Sequence, residues 1–172
     1  MYEKWKGVHT RCAFNMIQEL IPLTRPRTLA AALGPTILGA AFSYYAFGAA
    51  QGTGLAIFHT MLIFLAVVTA QIVANLWNEY KDFKSGLDAG QKVGNAGSIT
   101  RGVITPELII TMIKVLMFVP IIIGLYLSAT ITWYYIPVGF LCILISFLYS
   151  GGPKPISRTP FGEISSGIAM GF

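Results

Sequence analysis

Residues 55–77, LAIFHTMLIFLAVVTAQIVANLW, run for twenty-three positions without a charge and lead straight into Asn75–Asp88, NLWNEYKDFKSGLD. A bilayer core of about 30 Å takes roughly 20 helical residues, so the first stretch is long enough to cross it. Three more blocks share its length and character: Thr28–Ala50, Leu108–Ser128 and Ile131–Ser150. Only one of the four holds a charge, Lys114. The expected fold is an all-α, polytopic transmembrane bundle of four full helices plus the start of a fifth.

Composition agrees. Of 172 residues, 55% are hydrophobic and only 11% charged, against about 25% charged in a typical soluble domain. The net charge of +5 is distributed as membrane topology requires rather than as a nucleic-acid surface. Five of the Lys and Arg residues precede Thr28, four lie between Lys81 and Arg101, and Lys154 and Arg158 fall in Gly151–Pro160. The connections Gln51–Gly54 and Ala129–Thr130 have none. Positive charge accumulates on the cytoplasmic side, which places the N-terminus and the second and fourth loops in the cytoplasm of a multi-pass cell-membrane protein.

The opening MYEKWKGVHTRCAFN does not read as a signal peptide, since no short apolar run follows it closely. Cys12 and Cys142 are the only cysteines, too few and too differently placed for a disulfide framework or a structural zinc site. Phe14, Ile17 and Ile21 recur at helical spacing and predict an interfacial helix. Residues 1–27 therefore form a cytoplasmic or interfacial segment ahead of a membrane domain over 28–172. Gly34, Pro35 and Gly39 permit close helix approach, and Pro120 and Pro137 are expected to kink the third and fourth helices. After Pro160 only FGEISSGIAMGF remains, twelve residues. That is too short to cross a bilayer, so the chain is expected to stop inside an element.

Three of the seven carboxylates, Glu79, Asp82 and Asp88, gather at the end of the second helix. At 100° per residue, Gln71, Asn75, Asn78, Glu79 and Asp82 share an arc of roughly 100°. A polar stripe on an otherwise apolar membrane helix faces a cavity or other helices. Hydrogen bonding between helices, with an ordinary solvated end, is the plainer account of the same stripe. Asp82 and Asp88 are hard oxygen donors of the kind that hold Mg²⁺ while leaving positions for water and phosphate oxygens. The following loop adds Lys84, Lys92 and Arg101, with Gly86, Gly90, Gly94 and Gly97 allowing backbone amides to approach an anion. No GxxxxGK[ST] or GxGxxG occurs, so neither a P-loop nor a dinucleotide fingerprint is present. Acids, cations and glycines beside apolar helices suit a ligand with an anionic head and a greasy tail.

NEYKDFKSGLD resembles the first aspartate-rich motif of the UbiA superfamily of membrane prenyltransferases, broadly N-x-x-x-D-x-x-x-D. Asn78, Asp82, Gly86 and Asp88 are most similar to the branch that prenylates 1,4-dihydroxy-2-naphthoate in menaquinone synthesis. The Arg25-Pro26 step, GNAGSITRGVITPE and YSGGPKPISRTPFGE carry the resemblance along the chain from about Arg25. It implies the N-terminal half of a nine-helix bundle that transfers a polyprenyl group from its diphosphate to an aromatic acceptor. It also implies Mg²⁺ held by Asn78, Asp82 and Asp88, with Asp82 and Asn78 at the catalytic centre. Gly86 stands where the broad pattern has Asp, and Glu79 where the family often has Asp. Arg101 and Lys154 would bind diphosphate, together with Arg25, Asn75 and Tyr149 around the site. The family's second acidic motif has no counterpart here, so the chain alone is expected to be an incomplete catalyst, a fragment or the partner of a separately encoded C-terminal half.

Other residues read more plainly. His59 lies far from the acids and is expected to be interfacial or hydrogen-bonded. Snorkelling accounts for Lys114 as well as ligand binding does. Trp77, Trp133, Tyr134 and Tyr135 read as belt aromatics. The rival class is a non-enzymatic transporter or ion-binding subunit, which predicts polar residues continuing across the bilayer. The stripe fades above Gln71, which favours a one-sided pocket.

Overall fold

A computed structural model of the chain describes residues 20–86, 98–151, 155–164 and 167. Four α-helices account for most of them: α1 (Pro26–Gln51), α2 (Thr53–Ser85), α3 (Pro106–Thr130) and α4 (Tyr135–Ser150). A 3-10 turn, Ile156–Arg158, follows.

Local chemistry sets the boundaries. Pro26 occupies the first turn of α1, where a missing N–H costs nothing. A single residue, Gly52 at φ 74°, separates α1 from α2. The 33 residues of α2 extend about 50 Å, well beyond a 30 Å apolar layer. Its last turns must therefore project from that layer, and these are the turns that carry Asn78, Glu79 and Asp82. Gly86, at φ 73°, ends α2 by donating its N–H to the Asp82 and Phe83 carbonyls, the left-handed stop for which glycine is suited. At the start of α3, the Leu108 N–H donates to the Thr105 hydroxyl at 3.3 Å, and Pro106 and Glu107 fill the first turn.

The three helices containing the first three apolar blocks are long and apolar enough to cross a membrane. The fourth differs from expectation. It begins at Tyr135 rather than Ile131 and has 16 residues, about 24 Å. The cause is local: α3 continues to Thr130, Ile131 closes it by donating to the Leu127 carbonyl, and Pro137 falls in the first turn of α4. Lacking an N–H, a proline is accommodated there, so Pro137 begins a helix instead of kinking one. Pro35 and Pro120 are contained within the continuous α1 and α3.

The central helix is α2. Asn75, near its end, bonds Thr24 and Thr28 at the start of α1, so the two run antiparallel. Phe58 and His59, near its beginning, meet Tyr126 late in α3, again antiparallel. Trp77 and Asn78 meet Phe147 and Ser150 at the end of α4, so α2 and α4 run parallel. The buried core collects at one end, where Leu23, Leu76, Ile99, Ile104 and Ile109 pack together. Elsewhere large apolar side chains point outward, including Leu38, Phe42, Phe118 and Phe140, the surface expected of helices solvated by lipid. Along the helices the hydroxyls of Thr36, Thr60, Thr69, Ser128 and Ser146 donate to carbonyls four residues back, at 2.6–2.9 Å. Each is thereby satisfied without water.

Candidate active site

The core cluster determines which segments converge at the polar end. Leu23 lies two residues before Arg25, Leu76 sits on α2 between Asn75 and Asn78, and Ile99 and Ile104 flank Arg101. Packing these apolar side chains together brings the three polar segments to one end of the bundle. Burial of an Ile or Leu side chain stabilises by about 1.5–3 kcal/mol, so the site is anchored by its apolar neighbours.

The stripe on α2 is real and is divided between two partners. Asn75 is 3% exposed, and its Nδ2 donates to the Thr24 carbonyl at 2.7 Å and the Thr28 hydroxyl at 2.9 Å. Both amide hydrogens are thus committed to α1. On the other flank the Ser150 hydroxyl donates to Asn78 Oδ1. These three bonds are the interhelical kind that the plainer account of the stripe anticipates. Glu79 is 1% exposed, a buried carboxylate that the sequence reading leaves without a role. Its position in the stripe between Asn75 and Asp82 was the available signal. Asp82 and Gln71 are half-buried.

Arg101 is exposed on a turn with both ends fixed. Ser98 and Ile99 are fully buried, the Ser98 carbonyl accepts from the Val103 and Ile104 N–H groups, and Gly102, at φ 75°, donates to Ile99 at 2.9 Å. Arg101 Nη2 donates to Ser98 Oγ at 3.2 Å. Arg25 is half-buried at the start of α1, and Tyr149 is half-buried beside Ser150. Asp88, Lys92 and Lys154 lie outside the described residues, as do Cys12 and the glycines at 90, 94 and 97.

Trp77 departs from the belt position expected of it. Its Nε1 donates to the Phe147 carbonyl at 3.1 Å, and its ring stands 4.8 Å from Phe147 and 5.9 Å from Tyr80. Lys81 Nζ lies 5.1 Å from its centroid. The indole is a clasp between α2 and α4. Trp133 and Tyr134 stand exposed at the α3–α4 connection, stacked at 4.3 Å. Lys114 is exposed. His59 is buried rather than interfacial, 8% exposed, and its Nε2 has no hydrogen-bond partner among the described residues.

Farther along, α1 and α2 flank an open apolar groove of about 660 Å³ lined by Ile37, Ala40, Ala41, Met61, Phe64 and Val68 among others. On the helical wheel Phe64 and Val68 fall within the same roughly 100° arc as Asn75 and Asp82. One face of α2 thus passes from acid and amide at its end to hydrocarbon farther in, with the Asn75 bond to α1 between them.

Among the described residues no group of three or more His, Cys, Asp or Glu side chains converges as a metal cluster. The available set is smaller: Asp82, with Asn78 one turn before it. Hard oxygens in this number fit Mg²⁺, which binds through one or two carboxylates and completes its shell with water and phosphate.

The comparisons with known proteins follow this geometry. Curated relatives from several bacteria bear the name 1,4-dihydroxy-2-naphthoate octaprenyltransferase. That of Bacillus subtilis (strain 168) is 40% identical over 164 residues, covering 91% of this chain and 49% of its own length. That of Mycobacterium tuberculosis is 31% identical over 86% of this chain and 48% of its own length. That of Escherichia coli (strain K12) is 28% identical over 95% and 53%. The chain therefore spans about half the length of the curated relatives it matches. No solved structure is detectably similar. Residues 32–172 match the UbiA prenyltransferase family, and the chain belongs to that family.

Proposed function

We propose that this chain forms the first half of the active site of a Mg²⁺-dependent polyprenyltransferase, acting on 1,4-dihydroxy-2-naphthoate in menaquinone synthesis. The observation that carries the reading is the graded face of α2, polar at Asp82 and apolar in the α1–α2 groove. It suits a donor with a diphosphate head and a polyprenyl tail. Family membership and the names of the relatives support the reaction and the acceptor. In this reading residues 28–172 are the partial membrane domain, and the polar end faces the cytoplasm, a placement supported by the distribution of Lys and Arg.

The residues divide the work. Asp82 and Asn78, joined by Asp88, would hold the metal, whose chemistry is to neutralise charge on diphosphate oxygens. Arg101 on its fixed turn, Arg25 and Lys154 bind the anion, and Tyr149 lines the site. As the allylic C–O bond breaks, its electron pair leaves with diphosphate, and fixed cations in a water-poor site stabilise that charge. The aromatic ring supplies the electron pair for the new C–C bond, and carbon dioxide is lost from the acceptor. The groove walls hold the tail away from water.

The test is a chimera in which this chain replaces the matching segment of the Bacillus subtilis relative. Polyprenyl transfer to dihydroxynaphthoate should require Mg²⁺, and Asp82→Asn should reduce turnover about a hundredfold or more while membrane insertion is retained. Full turnover by Asp82→Asn would remove Asp82 from the mechanism.

A further inference from the structure

Where the helical turn 20–23 meets α1, Arg25 adopts φ 48° and ψ 71°, the only left-handed conformation of a non-glycine among the described residues. A Cβ disfavours that region, and the following residue, Pro26, favours an extended conformation at position 25. A backbone in such a state persists only when its surroundings hold it.

The carbonyls on both sides of the strained torsions are held. Asn75 Nδ2 donates to the Thr24 carbonyl at 2.7 Å and to the Thr28 hydroxyl at 2.9 Å. The Thr28 hydroxyl in turn donates to the Arg25 carbonyl at 2.9 Å, and the Thr28 N–H donates to the same oxygen at 2.8 Å. The chain has one direction, amide to hydroxyl to carbonyl, and it begins on α2 three residues before Asn78. Asn75 is 3% exposed, and with both N–H groups committed it has no donor left for an anion.

We propose that Asn75 is a positioning residue. Through Thr24 and Thr28 it locks the left-handed turn at Arg25 and so fixes where that guanidinium enters the diphosphate site, without touching the ligand itself. This rests on the diphosphate reading above.

Two double-mutant cycles on the Bacillus chimera in lipid nanodiscs test it. The first measures uptake of Mg²⁺ with inorganic pyrophosphate by calorimetry. Asn75→Ala and Arg25→Gly should each weaken binding about tenfold, a change of about 1.4 kcal/mol. The double variant should bind no more weakly than Arg25→Gly, because both act through one cation. Multiplying losses, about a hundredfold together, would overturn the proposal and make Asn75 a direct ligand. Thr28→Val should reproduce the effect of Asn75→Ala, and Thr28→Ser should not. The second cycle follows the unfolding midpoint. Asn75→Ala should lower it markedly with Arg25 present and much less in the Arg25→Gly background, where the turn needs no clamp. An equal drop in both backgrounds would overturn the clamp. If the unmutated chimera takes up no Mg²⁺–pyrophosphate, the diphosphate reading fails, and the unfolding cycle decides the clamp by itself.

Discussion

Thr105 accepts the Leu108 N–H at 3.3 Å and is followed by Pro106 and Glu107 in the first turn of α3. Thr105→Ala should destabilise the chain by about 1 kcal/mol, and Thr105→Ser should not. Unfolding in detergent micelles would show the difference. The letters T-P-E carry this cap by local chemistry alone, although they enter the sequence reading only as part of the family resemblance. The role of Asn75 was not legible. Its partners Thr24 and Thr28 lie 51 and 47 positions away, and nothing in the sequence indicates which helix will pack against that side of the stripe. An amide in a polar stripe can equally bind a ligand or a neighbouring backbone, and only the fold distinguishes the two. Glu79 was legible as an acid in the stripe, whereas its burial to 1% exposure is set by tertiary packing that no local pattern encodes.

At the level of the helix, α2 and α4 are joined where both end. A Cβ built on Gly151 would collide with the Phe147 carbonyl and stand 3.4 Å from the Trp77 ring. Gly151→Ala should therefore displace the end of α4, loosen the indole clasp and cost about 1–3 kcal/mol. Gly139→Ala is the control, since nothing lies within 4 Å of a Cβ there; it should be neutral or mildly stabilising in the same unfolding assay. Apolar block length sufficed to place α1, α2 and α3, because about 20 hydrophobic residues have few alternatives in a bilayer. It failed at α4. Block length counts Ile131–Tyr134 as helix, but the chain before Tyr135 is used to turn out of α3, and Pro137 falls in the first turn of the helix that follows.

At the largest scale one face presents two separable surfaces, a polar end and a hydrocarbon groove. Ala41→Phe, filling the groove, should raise the KM for a long polyprenyl donor in the Bacillus chimera by roughly tenfold, since each apolar CH₂ denied burial costs about 0.8 kcal/mol. The KM for a five-carbon donor should stay unchanged; an equal rise for both would mean the groove does not hold the tail. Orientation has its own test. With Cys12 and Cys142 replaced by serine, Lys84→Cys should resist an impermeant maleimide in intact cells and react after permeabilisation, whereas Thr53→Cys should react in both. The reverse pattern would place the acids on the wrong side for a cytoplasmic diphosphate. Gly52, the lone residue between α1 and α2, bears on how the protein is made. A hinge that short leaves almost no hydrophilic chain to carry across the lipid, so the two spans should enter the membrane together as a hairpin. A lesion that stops either one from inserting should send both to degradation.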